Sequence, residues 1–167
     1  MNTQNPELRE RYRFLDYLYY SSLLAVPFFT AFYAIYNLSS TWLGVYIVMC
    51  LVCIALIYRH YCSHCPHYTR EGKTTQCMFF WGVPKFFQRR PGRLGFLDKS
   101  IALAAPAVVT IFPLYWLFQQ PGLLIIFILS LLVFFATMRR NECRRCVFFD
   151  CPVNKVPDEL KSEFQDQ

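Results

Sequence analysis

No Asp, Glu, Lys or Arg occurs from Ser21 to Tyr58, and none from Ser100 to Met138. The lack of charge excludes amphipathic surface helices there, because a soluble helix keeps one polar face in water. Each run is also too long for a buried core helix. The same runs hold no histidine, which argues against b-type haem held by axial histidines from membrane helices. With no carboxylate or base inside them, a proton relay or a carboxylate-lined transport path has no residues to use. Glu71-Gly72-Lys73-Thr74 lacks the glycine that a phosphate-binding loop needs five positions before the glycine of its Gly-Lys pair; His67 stands there. No nucleic-acid recognition motif accompanies the net charge of +6, so no nucleic-acid partner is expected.

What the chain has in abundance is apolar surface: 55% of its 167 residues are hydrophobic and 19% aromatic, which suits a bilayer better than water. A single helix over either uncharged run would far exceed the roughly 30 Å hydrocarbon core, so each run must fold back. Asn37-Leu38-Ser39-Ser40 and Gln119-Gln120-Pro121-Gly122 supply the turns. Four spans are predicted, at about 18–37, 41–58, 99–117 and 122–138. Trp42, Tyr115 and Trp116 flank the turns, while Tyr58 and Tyr61 mark the opposite interface. Acids and bases through Tyr12 and the missing small-residue cleavage site predict that the first span is retained. All 17 Lys and Arg fall in the N-terminal segment, the central loop or the C-terminal tail. The positive-inside rule therefore puts both termini and the cysteine motifs in the cytoplasm of an all-α integral membrane protein.

Cys62-Ser-His-Cys65 and Cys143-Arg-Arg-Cys146 each follow one hairpin, and each first cysteine stands three residues after an arginine, Arg59 or Arg140. Phe14-Leu15-Asp16 and Phe96-Leu97-Asp98 recur before the first and third spans at almost the same separation, as do Pro27 and Pro106 within them. The chain thus reads as two parallel-repeated hairpins, each with a cysteine knuckle. The first repeat is 1–95, with its knuckle at 59–77 and an interfacial aromatic and basic loop at 78–95. The second is 96–167, with its knuckle at 139–152 and a polar tail at 153–167.

Paired cytoplasmic thiols bind metals or turn over rather than staple folds, and two C-x-x-C pairs complete a tetrahedral thiolate set. Neighbouring Arg and Lys are expected to favour thiolates. Cys62, Cys65, Cys143 and Cys146 are the core candidate ligands, with Cys77 and Cys151 completing a second site or substituting. His64, His60 and His67 are additional donors in the first half only. Two arrangements stay open: one shared four-thiolate site, or two sites of three cysteines each. The Cys143-x2-Cys146-x4-Cys151-Pro152 run is loosely like the cysteine runs that hold iron–sulfur clusters, and Cys65-Pro66 repeats its ending.

This layout is similar to membrane subunits of bacterial respiratory systems in which hairpins are followed by Cys-x3-Cys-Pro pairs. The similarity implies quinol-linked electron transfer. Here the first pair is one residue shorter and the second has no adjacent proline. A membrane thiol-disulfide oxidoreductase resembling the vitamin K epoxide reductase and disulfide-forming families is disfavoured, since those work on the oxidising side. Cys50 and Cys53, at i and i+3 on one face of the second span, read as packing, with a redox path or soft-metal transport as the sharper alternatives.

In the central loop, Met78-Phe79-Phe80-Trp81 and Phe86-Phe87 alternate with Lys85, Arg89 and Arg90, while Gly82, Pro84, Pro91 and Gly92 interrupt helix. The expectation is a collar lying on lipid, with a docking ring for an acidic carrier as the sharper reading. Pro157-Asp158-Glu159 predicts a short terminal helix. The sequence reading is an integral-membrane metal-site protein. It is expected to carry an iron–sulfur cluster and to move electrons between a cytoplasmic redox partner and the membrane quinone pool as a non-catalytic subunit of a larger complex. The alternative is a zinc-stabilised membrane scaffold. The expected partners are membrane lipids, other subunits or an acidic cytoplasmic carrier, and quinone.

Overall fold

The computed structural model describes residues 8–69, 72–90 and 92–165; Glu71 of the Gly-Lys turn and Pro91 of the central loop lie outside them. Four helical segments are long and apolar enough to cross a membrane. Helix α1 is Phe14–Leu38 and α2 is Ser40–His60, separated by Ser39 alone. The one-turn α3 (Pro66–Thr69) follows. The third span is α4 (Phe96–Ile111) continued by the short α5 (Leu114–Leu117). Helix α6 is Pro121–Asn141, with its proline in the first turn, where no intrahelical N–H is needed. The 25 residues of α1 rise about 38 Å, enough to cross the hydrocarbon and leave a turn outside it.

Helices α1 and α4 begin several residues before the predicted spans, and the reason lies at their N-termini. Asp16, three residues into α1, accepts a hydrogen bond from the Arg13 N–H at 3.0 Å. Asp98 holds the equivalent position in α4, its carboxyl beside the backbone of Gly95. Asp16 thus satisfies an orphan donor, and each aspartate sits where the helix macrodipole favours an anion. The helices therefore start at the Phe-Leu-Asp motifs rather than at the first uncharged residue.

The predicted third span, 99–117, breaks at Phe112–Pro113. Pro113 has no N–H for the Val109 carbonyl. The buried Tyr46 hydroxyl of α2 donates to that carbonyl at 3.0 Å, and its ring stacks on Phe112 with centroids 5.5 Å apart and planes at 7°. A side chain of one hairpin thus replaces the bond lost in the other. Nearby, Trp42 packs on Trp116. At the turns, Gln120 Nε2 donates to the Ala34 carbonyl at 2.9 Å and Asn37 Nδ2 to Gln120 Oε1 at 3.1 Å.

Packing runs mainly between hairpins, α1 against α6 and α2 against α4. One core, inside the bundle, gathers Ala31, Ala34, Ile35, Tyr46, Cys50, Trp116, Leu117 and Phe127. A second lies at the end that carries the cysteine motifs. Most of the outward helix surface is apolar and exposed, as at Phe29, Leu51, Leu103 and Leu132, the pattern of helices whose solvent is lipid.

The central loop, expected as a collar on lipid in which Gly and Pro interrupt helix, contains a short hairpin. Thr74–Gln76 (β1) and Trp81–Pro84 (β2) pair antiparallel, with Thr74 opposite Pro84 and Gln76 opposite Trp81. Gly82 adopts φ +76°, which only glycine reaches without strain. The buried Thr75 Oγ1 donates to the Val83 carbonyl at 2.8 Å, and Tyr58 donates to the Pro84 carbonyl at 2.9 Å. Phe80 packs on Tyr58, Phe79 on Phe134 and Trp81 on Phe14. These three rings are committed to the helix ends; Phe86, 74% exposed, is the one left outward. The terminal helix α7 runs Asp158–Gln165 with both acids in its first turn.

Candidate metal centre

At the end of α2, Tyr61 N still bonds the Ile57 carbonyl, and the chain then tightens into a 3₁₀ turn over Cys62–His64. Cys65 N closes it on the Cys62 carbonyl at 3.0 Å, and Pro66 starts α3 at once. Ser63, fully buried, ties the turn at both faces: its Oγ donates to the Arg59 carbonyl at 2.6 Å and its own carbonyl accepts from Arg90 N at 3.1 Å. The second knuckle leaves α6 through Cys143 N, bonded to the Met138 carbonyl at 3.1 Å. Lys155 N returns to the Cys143 carbonyl at 2.7 Å. Asn154 Nδ2 donates to the carbonyls of Cys146 and Phe148 at 3.0 and 2.9 Å, while its Oδ1 accepts from Val156 N. That one amide holds the second cysteine turn to the tail.

The two knuckles meet. Cys65 is buried in a cluster with Tyr58, Tyr68, Leu94 and Phe148, against which Cys62, Cys146 and Cys151 also pack. Tyr61, from the first hairpin, donates its hydroxyl to Cys151 Sγ at 2.8 Å and sets its ring edge-on to Phe148. Burial pushes the Cys65 thiol well up, and nearby charge at Cys77 and then Cys146 adds to it. Burial likewise takes Cys146 up to about 12, with Cys151, Cys77 and Cys143 all close enough to contribute and a backbone hydrogen bond at Phe148 working against it. Cys77 is raised by burial, with the backbone amides of the Met78–Phe80 turn opposing the rise. Cys143 is raised by burial and then by Cys151. Cys65, Cys77, Cys143 and Cys146 are therefore held neutral at pH 7, contrary to the expectation that nearby Arg and Lys would favour thiolates; desolvation outweighs the cations.

Among the described residues, no three His, Cys, Asp or Glu side chains already stand in ligand geometry about one point. The donor chemistry nevertheless fits a soft metal: several thiols in one dry neighbourhood can ionise together only if a cation replaces their protons. Of the candidate histidines, His60 is engaged elsewhere, its Nδ1 3.0 Å from Asp98 Oδ1. His64 is not: its Nε2 lies 3.7 Å from Asp98 Oδ2, beyond hydrogen-bond reach, and both its ring nitrogens are buried without a hydrogen-bond partner. His67 Nδ1 lies 2.9 Å from the Glu10 carbonyl, with its ring edge-on to Tyr12. Cys50 and Cys53 are buried within α2, Cys50 in the intramembrane core.

Several residues of this neighbourhood carry no signal in sequence. The N-terminal segment crosses both knuckles: Arg9 N bonds the Arg145 carbonyl at 2.6 Å, and Glu10 reaches His67. Buried Tyr12 lies near Cys146 and Cys77, and burial together with their charge raises its phenol. Asp98 had a visible signal, its place in the repeated Phe-Leu-Asp motif, yet that motif does not reveal its histidine partners. Comparison with protein-family models, curated proteins and solved structures finds no match to this chain.

Proposed function

We propose that the protein is an integral-membrane metal-site protein in which the two hairpins share one thiolate centre on the cytoplasmic side. Cys62, Cys65, Cys143 and Cys146 are its principal donors, with Cys77 and Cys151 beside them. The observation that carries this reading is one packed cluster that takes in Cys62 and Cys65 of the first knuckle and Cys146 and Cys151 of the second; Cys143 lies outside it, near Cys151. A parallel repeat is supported by the contacts. The strong pairings α1 with α6 and α2 with α4 exchange under a two-fold axis along the membrane normal. The two aspartates are placed alike: Asp16 pairs with Arg9, which also reaches Glu142 just past α6, while Asp98 pairs with His60 at the end of α2.

An iron–sulfur centre would supply one-electron transfer between a cytoplasmic partner and the quinone pool, within a larger complex. The chain's own residues would seclude it from water through Tyr58, Tyr68, Phe148 and Leu94, and Tyr61 would donate a hydrogen bond to sulfur at Cys151, a contact that raises the potential of such centres. A second reading, a zinc-stabilised scaffold, is favoured by the way this neighbourhood knots both hairpin ends and the N-terminal segment together, as closed structural sites do. Anaerobic purification with metal analysis, visible absorption and electron paramagnetic resonance separates them. Iron with a visible chromophore that Cys62→Ser or Cys143→Ser removes supports electron transfer. A colourless protein retaining stoichiometric zinc supports the scaffold, and a protein that takes up neither metal refutes both.

A further inference from the structure

The cavity between the start of α1 and the end of α6 has no part in the cysteine neighbourhood's proposed chemistry. It encloses about 280 Å³, several times the roughly 30 Å³ share of a water molecule, and is walled by Arg9, Arg140 and Arg145 with Asp16, Tyr20 and Glu142. Arg9 is already committed, 3.3 Å from Asp16 and 3.4 Å from Glu142. Arg140 and Arg145 form no ion pair among the described residues. Among the described residues, three guanidinium groups against two carboxyls leave one formal positive charge, which matches a singly charged phosphodiester better than a doubly charged phosphate.

Glu142 adds a second requirement. It is only 4% exposed; its Oε1 accepts the Tyr20 hydroxyl at 2.8 Å, and its Oε2 has no partner in hydrogen-bond geometry, the buried Tyr12 hydroxyl lying close to the carboxyl but not aligned on it. A buried carboxylate oxygen left bare is costly, so a donor is wanted at that wall. The position selects the source of the phosphate. The cavity opens where two spanning helices leave the apolar zone, and Leu15 and Leu18 of α1, 72% and 52% exposed, offer acyl chains a surface beside it.

We propose that this cavity binds an anionic phospholipid whose headgroup joins a phosphodiester to a hydroxyl. The phosphate sits on Arg140 and Arg145, and the hydroxyl donates to Glu142. Basic pockets between helices at a membrane face hold acidic headgroups by this chemistry.

The test is native mass spectrometry of the detergent-purified full chain titrated with phosphatidylglycerol or phosphatidylcholine. Phosphatidylglycerol should bind at least about tenfold more tightly, given two otherwise unpaired guanidiniums. Arg140→Gln with Arg145→Gln should abolish that preference, whereas Arg144→Gln with Lys155→Gln, an equal loss of charge elsewhere at the same end, should keep it. Arg145→Gln alone lies beyond α6 and keeps the test open if the double variant fails to fold; it should lower the preference several-fold. Equal affinity for the two lipids, or equal losses in the two double variants, overturns the site. Displacement of the lipid by millimolar inorganic phosphate overturns the lipid as its source.

Discussion

Replacing Tyr46 by Phe removes one hydroxyl and should uncover a defect that proline built into the third span. Val109 has no α-helical donor, because residue 113 is proline, and the Tyr46 hydroxyl at 3.0 Å supplies one. The ring itself, 1% exposed and stacked on Phe112, stays in place in the variant, so packing is nearly conserved. In water a buried carbonyl left bare would cost about 1–3 kcal/mol. Within a bilayer the unfolded reference also finds partners, and measured hydrogen bonds between helices average nearer 0.6 with a ceiling of about 1.7 kcal/mol. A loss of about 1 kcal/mol is therefore expected for Tyr46→Phe in reversible unfolding from mixed micelles. The decisive measurement is the double-mutant cycle with Pro113→Ala, which restores an N–H within reach of Val109. In that background Tyr46→Phe should cost little, so the coupling should approach the whole single-mutant loss. Equal costs in both backgrounds would refute the account, leaving the proline break to be satisfied some other way.

The thiols give a pH prediction with a definite sign. A thiol raised in the folded state favours folding while it stays protonated, so metal-free protein should hold its stability below about pH 8.5 and lose it as pH climbs from the ordinary value of 9.0 toward the Cys146 value of about 12; thermal unfolding across pH 7–11 checks this. Asn154→Ala removes two donations to knuckle carbonyls and should cost about 1–3 kcal/mol and speed alkylation of Cys146, read by mass spectrometry. Gly82→Ala should destabilise by about 1 kcal/mol through its positive φ alone, since a Cβ there meets no atom. Cys50→Ala should leave metal content unchanged, because Cys50 belongs to the intramembrane core; a loss of bound metal would move that thiol into the site.

Four spans, their fold-back points and the gathering of basic residues beyond them were legible in sequence because lipid imposes a one-dimensional rule: length and lack of charge suffice. The same rule is blind to helix ends set by Asp16 and Asp98, and to the break at Pro113, which depends on a tyrosine in another helix. The aromatic loop read as a membrane collar, yet Phe79, Phe80 and Trp81 fold back on the helices, since Tyr58 and Thr75 supply the hydrogen bonds that let β1 and β2 form there.

Spacing alone marked Cys62, Cys65, Cys143 and Cys146 as a set, because two thiols three residues apart can share one tight turn. Nothing in that spacing says that Cys65 and Cys146 enter one buried cluster, that His60 turns to Asp98 while His64 stays buried and unpartnered, or that Arg9 and Tyr12 cross over both knuckles. Local pattern determined the spans and the knuckles, which depend on neighbours a few residues away. Tertiary structure decided which groups meet and how dry their meeting place is, because burial and charge at a point are sums over residues far apart along the chain.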